Sequence, residues 1–385
     1  MAQQQQHTPI EQVLELLNEQ GSDGFAEALR LLLNLAMLFE RECFLQAAPY
    51  ERTPERRDVA NGFKPKRLRT RLGDLDLRIP QVRKGDFYPQ ALERGTRSER
   101  ALKLALAEMY VQGVSTRKVK AITEQLCGFE VSSSQVSRAT GELDEHFKQW
   151  RERPLGEMIY LQFDARYEKV REGGLVIDEA LLQAIGIDRE GRRHVLGLSV
   201  SRSEAEVHWR EFFQSLVRRG LCGMQLITSD DHAGLEAARK AIFPGVAWQR
   251  CQFHLQQNAS QYVTRLEQRK EVAADLRAIF NAPGRAEADR LVAAVVKKYA
   301  ESSPRLSAWI EANVYQGLTV MSFPIEHQRR LRTTNLSERV NRELKRRTRV
   351  VGIFPNAASL ERLATAILIE IDEDWQSGVR YLAFP

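Results

Sequence analysis

Three acids in this sequence stand where divalent-metal chemistry would want them: Asp164, Asp230 and Glu338. Mg²⁺ and Mn²⁺ take hard oxygen ligands. Two such ions roughly 3.5–4 Å apart can cleave a phosphodiester, one activating the attacking oxygen and the other stabilising the leaving oxygen. Asp164 follows Ile159, Leu161 and Phe163, an apolar alternation that predicts a strand over 158–163 ending at the acid. Asp230 follows Leu226 and Ile227 in a second predicted strand, 224–228, and precedes a helix. If the two strands are parallel neighbours, both acids leave the sheet at the edge where sites form in open α/β sheets. Each aspartate alone also reads as an ordinary loop or N-cap residue. Glu338 lies on a predicted helix, 333–349, among Arg332, Arg339, Arg342 and Lys345. There it, or Glu343, serves equally well as a local ion-pair partner. A basic helix with one acid also suits a site on DNA, its cations meeting phosphates and its acid meeting metal.

The surrounding pattern is α/β. Strands are predicted at 158–163, 180–187 and 194–200, then a helix at 204–219, a strand at 224–228, a helix at 233–242 and a strand at 246–253. Three strands, helix, strand, helix, strand is the order of ribonuclease H-like folds, an order many α/β proteins share. Residues 255–325 read as helical and polar and interrupt the pattern, and a final amphipathic helix is predicted at 358–375.

Upstream, residues 10–45 are helical by spacing, broken at Gly21, Ser22 and Gly24. Residues 51–90 alternate apolar and basic positions, and Asn61-Gly62 and Gly73-Asp74 mark turns, so a basic β-hairpin is predicted. Three short helices follow over 98–147. Ser98 caps the first, Ser115 to Lys118 open the second, and Ser132 to Ser134 open the third, which carries Val136, Leu143 and Phe147 inward. Gly-containing turns between short helices are a helix-turn-helix pattern, or equally a plain three-helix bundle. Ser133, Gln135 and Arg138 on the last helix are types that read bases and phosphates. The expected divisions are 1–50, helical; 51–95, hairpin; 96–150, helix-turn-helix; 151–254 with 326–385, the α/β core; and 255–325, a helical insertion.

The chain has 385 residues, 28% of them charged, with a net charge of +6 that permits a polyanionic partner. Its four cysteines form no CxxC pair, which points to a reduced, cytoplasmic protein. The Gln-rich start has no apolar segment of a signal peptide, and no apolar run suffices to span a membrane. Cys251 and His254 have half the spacing of a zinc site but no second pair nearby. A buried thiol and a structural or DNA-positioning histidine are expected instead. Trp209 and Trp248 read as core residues, and Trp309 as either packing or a base-stacking platform.

Longer motifs carry a resemblance. Phe163-Asp164-Ala165-Arg166-Tyr167-Glu168-Lys169-Val170-Arg171, Ser229-Asp230-Asp231-His232-Ala233-Gly234-Leu235 and Arg332-Thr333-Thr334-Asn335-Leu336-Ser337-Glu338-Arg339-Val340-Asn341 resemble the three acid motifs of the Mutator-like bacterial insertion-sequence transposases. The run from Trp248 to Asn258 resembles that family's Cys-x-x-His segment, and Arg347 to Asn356 the stretch after the third motif. Tyr110 to Val119 and Val131 to Arg138 resemble its helix-turn-helix region. The resemblance covers about residues 50–375. It implies an α/β ribonuclease H-like catalytic core of the DDE type with an all-helical insertion, and it selects Asp230 over Asp231 and Glu338 over Glu343. Two departures stand out: the acid at Asp231, and Gln256-Gln257-Asn258 where an arginine is expected.

The implied function is DNA transposition with two Mg²⁺ ions, or Mn²⁺ in their place. Asp164, Asp230 and Glu338 would be both catalytic residues and metal ligands. Double-stranded DNA is the expected partner, as terminal inverted repeats and as target, with a homodimer to pair two ends and no membrane. Arg117, Lys118, Ser133, Gln135, Arg138, Arg339, Arg342, Arg346 and Arg347 are the expected DNA contacts, and Cys251 and His254 are expected near the site. The alternatives are a repressor that keeps the fold without the chemistry, and a two-metal nuclease that cuts without joining.

Overall fold

The computed structural model describes residues 8–92, 94, 98–114, 116–141 and 144–384. The chain divides into two compact units, Met1–Leu143 and Asp144–Pro385.

The first unit opens with α1 (Pro9–Gln20) and α2 (Phe25–Leu45), joined by a 3₁₀ turn, Gly21–Gly24. Thr8 and Glu11 cap α1 reciprocally, each side chain accepting from the other's backbone N–H. A hairpin follows, β1 (Ala60–Thr70) and β2 (Gly73–Val82). Alternate β2 residues Leu75, Leu77 and Ile79 are buried against Met37 of α2. Asn61-Gly62 is not a turn: Gly62 has φ +69°, and the register slips between Ala60 and Phe63, so the pair forms a bulge inside β1. The hairpin turns at Arg71-Leu72, ahead of Gly73.

Next come α3 (Arg100–Val111), α4 (Thr116–Cys127) and α5 (Ser133–Gly141), closed around Leu102, Leu106, Val119, Val131 and Val136. Glu99, not Ser98, is the N-cap of α3, because Ser98 sits in a β-bridge to Arg69. The predicted third helix is two helices: α5 ends at Gly141, and Phe147 belongs to the next element. Ser115, Leu143 and the side chain of Ser133 lie outside the described residues.

The second unit begins with α6 (Asp144–Glu152), tied to the last helix, α15 (Ala357–Ser377), by Arg362 donating to Asp144 and Arg151 donating to Thr365. Its sheet comprises β3 (Tyr160–Glu172), β4 (Leu175–Ile187), β5 (Arg193–Ser201), β6 (Leu226–Ser229) and β7 (Ala247–Arg250), in the order β5-β4-β3-β6-β7. β4 runs antiparallel to both its neighbours, while β3, β6 and β7 are parallel. Helices α7 (Glu206–Arg218) and α8 (Ala233–Ile242) cover one face, where Trp209, Phe213 and Leu235 meet Leu161, Phe163 and Ile227.

Several predicted boundaries move; β4 begins at Leu175 rather than at 180. β3 does not stop at Asp164 but continues to Glu172, because antiparallel pairing with β4 carries it on. β7 is shorter than predicted, and Phe253 and His254 lie on α9 (Gln252–Ala259). The chain then stays helical through α10 (Leu266–Phe280), α11 (Arg285–Tyr299), α12 (Pro304–Asn313) and α13 (Ile325–Leu331), with a core of its own around Leu276, Val292 and Ile310. α14 (Asn335–Thr348) returns to the sheet. Among the described residues no helix is long and apolar enough to cross a membrane.

Candidate active site

Strand register brings the two aspartates together. β3 and β6 pair in parallel from Tyr160↔Leu226 to Gln162↔Thr228, where the ladder ends. Asp164 and Asp230 are each two residues past that last pair, just beyond the carboxyl end of the parallel pairing, Asp164 within β3 and Asp230 one residue past the end of β6. Side chains two apart share a face, so Gln162 and Asp164 point one way, away from the Phe163 side packed on α7 and α8.

The shared face is lined with polar groups that catch the chain entering α14. Gln162 donates to the Thr333 carbonyl (3.1 Å), Thr228 to Leu331 (2.8 Å) and Gln183 to Ser337 (3.4 Å). Each such bond is worth roughly 0.5–1.5 kcal/mol net, and each satisfies a group that would be costly to bury unpaired. Together they pin the first turn of α14 across the sheet. Asn341, one turn on from Glu338, donates to Asp164 Oδ2 at 2.9 Å, and the Ala165 N–H donates to Oδ1. Arg166 reaches the Asn341 carbonyl at 2.7 Å.

The electrostatics are those of a crowded acidic pocket. Burial raises the Asp164 carboxyl to about 7; the Ala165 N–H and the charge of His254 oppose the rise, and Asp230 and Glu204 add to it. His254 is raised to about 9, first by its hydrogen bond to Cys251 and further by Asp230 and Asp164. Its Nδ1 lies 3.8 Å from Asp230 Oδ1. Cys251 is buried, and its sulfur accepts from the Thr334 N–H and hydroxyl, both at 3.4 Å. The segment thus ties α9 to the entry of α14.

Glu338 sits in the first turn of α14, with Oε1 buried and no hydrogen-bond partner. It lines a cleft of about 780 Å³ with Arg329, Arg330, Arg339, Arg342 and Tyr381. Asp164 and Asp230 do not line that cleft. Among the described residues, no three His, Cys, Asp or Glu side chains gather closely enough to hold a metal ion as they stand. The structure sets His254 beside Asp230, with both charges acting on Asp164, and Asn341, on the same helix as Glu338 and one turn further on, holds Asp164. The donors are of the right chemistry for a hard cation, and an orphaned buried carboxylate oxygen is a group such an ion would satisfy.

Other predicted residues fall variously. Arg339 and Arg342 are exposed in the cleft. Arg346 is exposed and paired to Glu343. Arg347 is buried, with its guanidinium bonded to both carboxylate oxygens of Glu370, so it fastens α14 to α15. In the first unit Arg117, Lys118 and Arg138 are exposed. Gln135 is engaged as a cap, its carbonyl accepting from the Ser132 N–H at 2.8 Å. Asp231, the departure from the family pattern, is the counter-ion of buried Arg250 at 2.8 Å. Gln256 donates to the Ala273 carbonyl, a packing contact between α9 and α10. Trp209 is core; Trp248 donates to Ser229 Oγ; Trp309 packs on Tyr262 with ring centroids 5.6 Å apart.

Glu204 and Asn341 are site residues that sequence reasoning missed. Glu204 adds its charge to Asp164 and is itself raised by burial and by Asp230. Gly234 makes that placement: a Cβ there would stand 2.2 Å from the Glu204 carbonyl oxygen. The legible signals were the glycine at the second position of α8 and the polar Gln162 and Gln183 in apolar strands.

Comparisons with known proteins give the family. The family model "Transposase, Mutator family" matches residues 1–378. The transposase for insertion sequence element IS406 of Burkholderia multivorans is 56% identical over 386 residues, covering 100% of both chains. That for ISRM5 of Rhizobium meliloti is 45% identical, over 94% of this chain and 90% of its own. That for IS256 in transposon Tn4001 of Staphylococcus aureus is 37% identical, over 92% of each. With a family model matched from the first residue to 378 and relatives similar along their whole length, the chain belongs to the Mutator family of transposases.

Proposed function

We propose that this chain cuts and joins DNA at the ends of a bacterial insertion sequence, with Asp164, Asp230 and Glu338 as ligands for two Mg²⁺ or Mn²⁺ ions. The observation that carries this reading is the register that sets Asp164 beside Asp230 just beyond the carboxyl end of the parallel pairing. The sheet order, with only β4 reversed, supports a ribonuclease H-like core of the DDE type. The helices between β7 and α14 would be its insertion.

Bound there, the ions would supply Lewis-acid activation of the attacking oxygen and neutralise charge at the leaving oxygen. The chain's own groups do the rest. Asn341 orients Asp164. His254, held as a cation, balances Asp164 and Asp230 before metal arrives. Arg339 and Arg342 hold backbone phosphates beside Glu338. In the first unit, α4 and α5 act as a helix-turn-helix on the terminal inverted repeats, through Arg117, Lys118, Arg138, Gln135 and Ser133. Water attacks one strand to release a 3′-hydroxyl, which then attacks a second phosphodiester. Pairing two ends calls for a homodimer acting in the cytoplasm.

The test is to incubate the protein with labelled end DNA, with and without Mg²⁺, and resolve the products. Mg²⁺-dependent joined strands or circles bear the reading out. Cut ends alone make the protein a nuclease, and binding without cleavage makes it a repressor.

A further inference from the structure

Next to the cleft that holds Glu338 is a second cavity, of about 410 Å³, that shares Arg339 and Arg342 with it. Arg193 of β5 lines this second cavity beside Trp375 of α15. Its guanidinium lies between two rings, 4.8 Å from the Trp375 centroid and 5.2 Å from that of Tyr381. Arg330 of α13 covers the same tyrosine, at 4.6 Å. Four arginines from three elements, β5, α13 and α14, therefore meet around one aromatic pair. None of the four makes a salt bridge among the described residues. Glu326, Glu338, Glu343 and Asp374 also line the two cavities; among the described residues none of them forms an ion pair with any of the four arginines, and Glu343 is already engaged by Arg346 and Arg347. The Arg193 Nε is buried without a hydrogen-bond partner, and Arg193 is disfavoured as a cation by burial and by the positive charges of Arg339 and Arg330.

Folding alone gives no reason to gather like charges at this cost. A polyanion does: guanidinium is planar, weakly hydrated and suited to phosphate oxygens, and phosphate contacts position a duplex without reading its sequence. The tail that carries Tyr381 is fixed, since the Tyr381 N–H donates to the Gly191 carbonyl at 2.7 Å and His327 bonds the Ala383 carbonyl at 2.8 Å.

We infer that Arg193, Arg330, Arg339 and Arg342, with Tyr381 and Trp375 as a rigid backing, form a sequence-independent track for DNA backbone phosphates leading to Glu338. The inference deepens the proposed function and rests on it for the identity of the polyanion. Arg193 and Arg330 act as positioning residues in it.

The test uses the full chain and fluorescence anisotropy with two duplexes, one of random sequence and one carrying an element end, across a range of KCl concentrations. The probe variant is Arg330→Gln with Arg342→Gln, both exposed and without ion pairs, and Arg330→Lys with Arg342→Lys is its charge-preserving control. The glutamine variant should bind both duplexes on the order of tenfold more weakly at about 0.1 M salt and lower the salt slope by about 1.8, at roughly 0.9 for each phosphate no longer neutralised. The lysine variant should keep most of the slope. Unchanged affinity and slope on random DNA would overturn the track, and so would weakening confined to the end duplex. Product analysis of the wild-type chain separates the two ideas: failure to cut or join sinks the function, whereas normal joining with unchanged slopes sinks the track alone.

Discussion

At the edge of β3 and β6, charge is answered within the chain. Asp164 is half-buried, hydrogen-bonded by Asn341 and the Ala165 N–H, and under the charge of His254, whose pKa is raised to about 9. On the outer side of α14 the reverse holds: Arg330, Arg339 and Arg342 stand exposed beside Arg193 with no carboxylate engaged. The same helix borders both regions, offering Asn341 to the acids and arginines to the cleft. An internally balanced acidic pocket keeps its geometry before a ligand arrives. In the cleft, among the described residues, Arg330, Arg339 and Arg342 form no ion pair with the Glu326 and Glu338 that share it, which leaves their charges to meet an anion from outside. The contrast separates chemistry from positioning, and the two should fail differently.

The largest effect expected is loss of chemistry with binding intact. Asp164→Asn, Asp230→Asn or Glu338→Gln should each lower Mg²⁺-dependent joining at least about 10³-fold, since the groups act as a unit, while end binding by gel shift stays unchanged. A parallel loss of binding would erase the contrast. Next is Gly234→Ala. The added Cβ collides with backbone, not with a flexible side chain, so a destabilisation of roughly 1–3 kcal/mol should appear in thermal melts, with joining reduced as Asp230 shifts. Asn341→Ala removes the tie between α14 and Asp164. Groups that orient metal ligands typically cost about 10–100-fold when removed, so the Mg²⁺ concentration for half-maximal joining should rise by that order while DNA affinity holds.

The smallest effect is on stability against pH in metal-free protein. Asp164 has a folded pKa of about 7, above the ordinary carboxyl value of about 3.9. The folded state thus binds the proton more tightly, and stability falls as pH rises from about 4 to about 7. His254, raised to about 9, contributes stability that is full below about 6.5 and lost as pH rises through about 9. Melting temperature without divalent ions should fall through both windows. Asp164→Asn should flatten the lower one and His254→Gln the upper. Melts that keep both slopes in these variants would show that the pocket is not balanced in this way.

Much of this was legible in the sequence. Alternation of Ile159, Leu161 and Phe163 and the apolar pair Leu226-Ile227 located the two strands, and motif resemblance singled out the three acids. Three features were not legible, each for a physical reason. The extension of β3 past Asp164 depends on pairing with β4, a tertiary fact that a run ending in a charged residue conceals. The burial of Arg347 depends on Glu370, 23 residues away on another helix, and in sequence it is one more arginine in a basic run. The Arg193 site draws on β5, α13, α14 and the C-terminal tail, and no local pattern joins them.

The central claim, that Asp164, Asp230 and Glu338 hold two ions, is tested most directly by anomalous scattering from Mn²⁺ in crystals of the protein bound to end DNA. Two peaks are predicted, both within about 2.0–2.6 Å of Asp164 oxygens, one also ligated by Asp230 and the other by Glu338. A single peak that leaves Glu338 unligated, or peaks that avoid Asp164, would contradict the account.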